Sequence, residues 1–187
     1  MAQDNKETEI KIKIEDIDNF KNKLISLNPI IEEEKFERTI RFDTPGEELE
    51  KKGIFVRVRS GFKNVWTVKK NIKDAKDENK YFQRHEWEIE ISDIETAREM
   101  MKVLGFEKEF IMEKYRSKYT LPDIEITIDR LPFGHYAELE GSKEAIDRLA
   151  NILGINIEER ITTTYWHLHD EYNIANNLSE QNIIFKT

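Results

Sequence analysis

Like charges recur two residues apart in this chain, with apolar side chains between them. Glu7 and Glu9, then Lys11 and Lys13, alternate with Ile10, Ile12 and Ile14. Arg57 and Arg59 alternate with Ile54, Val56 and Val58, and Thr67 and Lys69 with Trp66 and Val68. Further along, Arg84, Glu86, Glu88 and Glu90 oppose Trp87, Ile89 and Ile91. Lys114, Arg116 and Lys118 oppose Tyr115 and Tyr119, while Glu125, Thr127 and Asp129 oppose Ile124, Ile126 and Ile128. The last such stretch sets Glu138 and Glu140 against Ala137 and Leu139. Successive strand side chains point to opposite faces, so each stretch reads as a strand with one charged and one apolar face.

A half-exposed sheet also alternates in this way, its charged face turned to water. Surface strands, however, usually mix the signs of their charges, because like charges that close repel. Runs of a single sign are tolerable where opposite charges or ions stand across from them. Closing the sheet into a barrel supplies that opposition, since small barrels alternate interior and exterior residues along every strand. Carboxylate strands would then face cationic strands across a hydrated tunnel. The inside suits a polyanion held by Arg and Lys, with divalent metals on Glu and Asp.

Helical periodicity separates some of the strands. Residues 16–27 place Ile17, Phe20, Leu24 and Leu27 on one side. A second helix over 92–104 is expected to be capped by Ser92, with Glu95 three residues on and Ile94, Met101 and Leu104 apolar. The third, over 142–153, has Ser142 as cap and Gly154 as its stop. Gly61 to Asn64 reads as a hairpin turn. Residues 71–80 read as a charged, mobile loop in which Asp74, Asp77 and Glu78 would form at most a solvated lid. Phe20, Leu24, Trp87 and Tyr115 are expected in the outer core.

One domain fits 187 residues. Its expected limits are 7–173, between an N-terminal tail at 1–6 and a poorly patterned C-terminal tail at 174–187. The net charge of −8 counts against a nucleic-acid partner, and no run is apolar enough for a membrane span. No cysteine is present, which removes disulfides, thiolate metal sites and cysteine nucleophiles. A polar N-terminus without a signal-like apolar region makes the expected location cytoplasmic. His85, His135, His167 and His169 read as surface or packing residues.

The charged blocks, in this order, resemble the CYTH superfamily, also called triphosphate tunnel metalloenzymes. Its N-terminal Glu-x-Glu-x-Lys stands here as Glu7-Thr8-Glu9-Ile10-Lys11. Gly53 to Arg59 is similar to its Arg-x-Arg strand, Thr67-Val68-Lys69 to its Thr-x-Lys strand, and Arg84 to Glu88 to its Arg-x-Glu-x-Glu. Lys114-Tyr115-Arg116 resembles its later basic strand, and Asp129 to Gly134 followed by Glu138-Leu139-Glu140 its closing block. The likeness runs from about residue 7 to residue 170 and takes in Tyr165 to Leu168, similar to a terminal Tyr-x-x-Leu segment expected to pack against the barrel.

The resemblance implies an α+β fold: an eight-stranded antiparallel barrel with a polar interior and helices packed outside. It implies that Glu7, Glu9, Glu138 and Glu140 hold Mg²⁺ or Mn²⁺, with Asp129 as a further ligand or water-orienting group. Lys11, Arg57, Arg59, Lys69, Lys114 and Arg116 would hold phosphate oxygens, and Arg84, Glu86 and Glu88 would join the substrate-binding set by setting neighbouring pKa values or bracing the cations. Catalysis would fall to Glu7, Glu9, Lys11 and Asp129. Residue chemistry agrees, since hard divalent cations prefer oxygen ligands and Arg grips phosphate in a bidentate manner. Phosphoryl transfer needs positioning and charge neutralisation more than a nucleophilic side chain.

The expected activity is cleavage of a phosphoanhydride bond in tripolyphosphate, a nucleoside triphosphate or thiamine triphosphate. The alternative is a class IV adenylyl cyclase, making cyclic AMP from ATP. A non-enzymatic polyphosphate sensor would not need the full carboxylate set. The expected partner is a triphosphate-containing small molecule, bound by a monomer or homodimer.

Overall fold

A computed structural model describes residues 5–72, 77 and 79–186. Its strands are β1 (Lys6–Lys13), β2 (Ile30–Asp43), β3 (Ile54–Ser60), β4 (Val65–Asn71), β5 (Phe82–Glu90), β6 (Lys108–Leu121), β7 (Ile124–Leu131) and β8 (Gly134–Gly141). They close into a ring in the order β1-β5-β4-β3-β2-β6-β7-β8, every neighbouring pair antiparallel. The helices are α1 (Ile17–Ile25), α2 (Glu48–Lys51), α3 (Ile94–Val103), α4 (Lys143–Leu153) and α5 (Tyr165–Asn176). Among the described residues no helix is long and apolar enough to cross a membrane.

The two-faced strands dictate where the core lies. The apolar faces of β1, β7 and β8 turn outward, and Ile10, Ile12, Ile126, Ile128 and Leu139 pack with Leu24 of α1 and Ile146 and Leu149 of α4. Across the ring, Ile40, Phe42, Val56 and Val58 pack with Ala97 and Met101 of α3. The core is therefore an outer layer between sheet and helices, and the inside of the ring is left to charge.

Local chemistry explains the helix ends. Asp16 caps α1 by accepting from the Asn19 N–H, and Ser142 caps α4 by accepting from Ala145. Gly154 takes the left-handed conformation that ends α4 at φ 76°. At α3 the expected cap is displaced by one residue. Asp93, not Ser92, is the N-cap: its backbone is extended and its carboxylate accepts from the Thr96 N–H at 2.6 Å. Leu104 falls at the C-cap and is exposed, so Ala97 joins Met101 in the buried face instead. Trp87, expected in the outer core, is also exposed, beside the His85 ring at 5.9 Å.

Two elements were not visible as strands or docked structure in the sequence pattern. One is β2, at 14 residues among the longest strands, paired with β3 on one side and β6 on the other. The other is the C-terminal segment: Ile183 is 1% exposed and exchanges backbone hydrogen bonds with Ile111 and Glu113 of β6. Residues 73–76 and 78, which include Asp74 and Glu78 of the expected loop, lie outside the described residues. Asp77 accepts from Lys143 Nζ at 2.7 Å, which ties that point of the chain to α4.

Candidate functional site

Charged side chains from seven strands, with Thr39 from β2, converge inside the ring around a cavity of about 490 Å³. Its wall includes Glu7, Glu9 and Lys11 from β1, Arg57 and Arg59 from β3, Lys69 from β4, and Arg84, Glu86 and Glu88 from β5. Lys114 and Arg116 from β6 and Glu138 and Glu140 from β8 also line it, as does Tyr165 of α5. Asp129, on β7, is fully buried directly behind Arg116. Every site residue expected from the sequence is thus brought to one region.

The opposition inferred from the like-charged runs is realised as cross-strand ion pairs. Lys69 Nζ bonds both Glu7 oxygens at 2.7 and 2.8 Å and approaches Glu86 at 3.2 Å. Arg84 stands 3.7 Å from Glu7, and Lys11 bonds Glu9 and approaches Glu138 at 3.4 Å. Arg59 reaches Glu88 at 3.5 Å, and Glu88 accepts from the Thr67 hydroxyl at 2.9 Å. Within this lattice Arg84, Glu86 and Glu88 sit against Glu7, Lys69, Arg57 and Arg59 at 3.2 to 4.0 Å.

A second cluster centres on Asp129. Arg116 grips its carboxylate in bidentate fashion, Nε on Oδ1 at 2.6 Å and a terminal nitrogen on Oδ2 at 2.5 Å. The same guanidinium bonds Glu138, and Lys114 Nζ donates to Asp129 Oδ2 at 3.1 Å. Burial alone would raise the Glu138 carboxyl, but Arg116, Lys11 and Lys114 hold it well below the usual carboxylate range. Burial and then Arg116 push the Lys114 ammonium down. Lys11 goes the other way: burial lowers it, and Glu9 and Glu138 outweigh that and raise it.

Three carboxylates stand apart from that cluster. Glu9 and Glu140 are cross-strand partners, and Glu7 lies two residues from Glu9 on the same face. The surrounding protein, together with Glu7 and Glu9, pushes the Glu140 carboxyl up to about 8. Its side chain is nonetheless open to water at the mouth of the cavity, and that water screens part of the repulsion. The donor set, made of carboxylates alone, fits a divalent cation, which prefers carboxylate oxygens. Among the described residues, no three His, Asp or Glu side chains converge as they stand to the spacing a metal requires. Glu7 and Glu9 are turned onto Lys69 and Lys11 instead.

Two contributions were missed from sequence. Glu37 on β2 is 2% exposed and lies 3.7–3.8 Å from Lys114, Arg116 and Arg59, whose charges keep its carboxyl low against the effect of burial. The alternation Glu37-x-Thr39-x-Arg41-x-Asp43, with Ile40 and Phe42 between, is the signal that would have found it. The charged run Glu32–Lys35, where the register with β6 shifts, obscured it. The second is α5, whose first turn reaches into the ring. Tyr165 donates its hydroxyl to Asp129 Oδ2 at 2.9 Å, and Trp166 lies under the Arg41 guanidinium at 5.1 Å. The histidines stay out of this site: His169 is buried against the Phe133 ring and His167 is exposed beside Glu171.

Over residues 5–163 the chain matches the CYTH domain family. It is 30% identical over 182 residues to "Putative adenylate cyclase MJ0240" of Methanocaldococcus jannaschii, covering 97% of this chain and 95% of that protein. It is 27% identical over 175 residues to the adenylate cyclase CyaB of Aeromonas hydrophila, covering 85% and 86%. Among solved structures, a conserved hypothetical protein of Pyrococcus furiosus superimposes with a TM-score of 0.69 at 28% identity, over 85% of this chain and 97% of that one.

Proposed function

Since the chain belongs to the CYTH domain family, we propose that it is a divalent-metal-dependent triphosphatase. Its substrate would be tripolyphosphate, a nucleoside triphosphate or thiamine triphosphate. The observation that carries this reading is the interior of the ring, where buried cations from β1, β4, β5 and β6, with half-buried Arg57 and Arg59 from β3, oppose carboxylates from β1 and β8. A linear polyanion is the ligand such a wall can neutralise along its length, and about 490 Å³ accommodates a triphosphate.

Lys11, Arg57, Arg59, Lys69, Lys114 and Arg116 would hold phosphate oxygens, all but Arg116 by exchanging their present carboxylate partners. Two buried donors, Nε of Arg59 and Nε of Arg84, have no hydrogen-bond partner within the protein. Buried donors of this kind are costly when unpaired, and phosphate oxygens would satisfy them. Glu7, Glu9 and Glu140, with Glu138 beside them, would hold Mg²⁺ or Mn²⁺. When bound, such an ion neutralises phosphate charge and lowers the pKa of a water it carries. Both Asp129 oxygens are already filled by Arg116, Lys114 and Tyr165. We therefore assign Asp129 to orienting the phosphate-binding cations rather than to the metal.

The names of the two curated relatives support a second reading, an adenylyl cyclase that forms cyclic AMP and pyrophosphate from ATP. Both readings use the same triphosphate cradle and differ in which phosphorus is attacked. Purified protein incubated with tripolyphosphate or ATP, with Mg²⁺ or Mn²⁺ and an EDTA control, separates them. Metal-dependent phosphate release without cyclic AMP is the expected result. Cyclic AMP with pyrophosphate would replace the first reading by the second. Glu9→Gln is expected to lose at least 100-fold in turnover, on the order of what one transition-state charge contact supplies, with its circular dichroism unchanged. Undiminished phosphate release by that variant would remove Glu9 from the metal site.

A further inference from the structure

Tyr165 makes a contact that packing alone does not require. Its ring is buried edge-on against Tyr136, at 5.6 Å between centroids, and a phenylalanine would serve that purpose equally well. Its hydroxyl instead enters the charged interior and donates to Asp129 Oδ2 at 2.9 Å. That oxygen has two other donors, Arg116 at 2.5 Å and Lys114 at 3.1 Å, and Lys114 is the longest of the three. The Tyr165 ring also faces the ammonium groups of Lys114 and Lys11, at 5.4 and 5.6 Å from its centroid. One side chain from a helix outside the sheet therefore touches the carboxylate and both lysines.

Asp129 has no exposure to solvent. If Lys114 leaves it for a phosphate oxygen, Asp129 Oδ2 loses one of its three donors, and a buried carboxylate short of a donor is unfavourable. We propose that Tyr165 is a positioning residue that frees Lys114 to bind phosphate, by keeping Asp129 Oδ2 satisfied once the ammonium departs. The hydroxyl can do this throughout the working pH range, because burial and then the charges of Asp129 and Glu138 raise its pKa well above the usual tyrosine value. Arg116, tied to Asp129 by two bonds, stays in place while Lys114 moves. The proposal rests on the triphosphate reading of the cavity and adds to it a partition of roles among the cations.

The test is a double-mutant cycle on tripolyphosphate binding, read by calorimetry in EDTA so that turnover does not intervene. Tyr165→Phe keeps the ring and removes the hydroxyl. It is expected to weaken binding about tenfold, within the range for a hydrogen bond to a charged group, with the thermal unfolding midpoint unchanged. In a Lys114→Met background the same change is expected to have no further effect, since the residue through which it acts is absent. Equal weakening in both backgrounds, or none in either, would overturn the proposal. So would a Tyr165→Phe protein that no longer folds.

A ligand-free measurement separates this inference from the reading beneath it. With Tyr165→Phe, Asp129 should hold Lys114 more tightly, and the Lys114 ammonium protons should exchange with water more slowly by NMR. Failure of the wild type to bind tripolyphosphate would contradict the proposed function, whereas unchanged Lys114 exchange would overturn the role of Tyr165.

Discussion

Glu140 and Asp129 show how differently two carboxyl groups behave in one ring. Glu140 is raised from 4.5 to about 8 by its protein surroundings and by Glu7 and Glu9. A carboxyl raised on folding favours the native state fully below its unfolded pKa, and that contribution is lost as pH rises toward the folded value. In EDTA, Glu140→Gln should therefore unfold at a higher temperature than wild type at pH 8, with the difference disappearing near pH 4.5. Added Mg²⁺ should reverse the order at pH 8, because an ion bound to the native wild type stabilises it. Thermal unfolding under these conditions checks both statements. Asp129, by contrast, is matched by Arg116, Lys114 and Tyr165. Asp129→Asn takes the bidentate carboxylate from a buried guanidinium that keeps only Glu138 bonded and should cost about 3–5 kcal/mol, measurable by urea denaturation.

At the scale of elements, the strands with one clean charged face were legible and those with mixed faces were not. β1, β3 to β8 and the facing of their site residues follow from period-two alternation, which a barrel wall enforces because one side is ligand-facing and the other packed. β2 escaped because Glu32, Glu33, Glu34 and Lys35 carry charge to both faces before the regular pattern begins at Phe36. α5 escaped as a contributor to the site because its helical pattern is weak and its functional end is a single turn. Tyr165 and Trp166 are aromatic residues whose polar contacts depend on docking, which no local periodicity reports. Ile183 likewise draws its importance from β6, 71 residues away in the Asn182–Ile111 contact beside it. Ile183→Ala should cost roughly 2–5 kcal/mol, as for other large-to-small changes in a filled core, by the same denaturation measurement. A change within 0.5 kcal/mol, the usual range for surface substitutions, would show that the C-terminal segment is not part of the folded core.

For the whole molecule, an acidic chain with a net charge of −8 encloses a cavity whose wall is paired cation to carboxylate. The Lys69–Glu7 and Lys11–Glu9 pairs are ones that a metal–triphosphate complex could replace on both sides: phosphate oxygens on the cations, metal on the carboxylates. Exchanging matched partners for matched partners avoids leaving buried charges uncompensated, which is the dominant penalty in such an interior. A crystal structure with tripolyphosphate and Mn²⁺, located by its anomalous scattering, tests this most directly. The account predicts the triphosphate lying inside the ring on Arg57, Arg59, Lys69 and Lys114, with Mn²⁺ at Glu7, Glu9 and Glu140 and the Lys69–Glu7 and Lys11–Glu9 pairs opened. Mn²⁺ or tripolyphosphate bound only outside the ring, with those pairs intact, would contradict it.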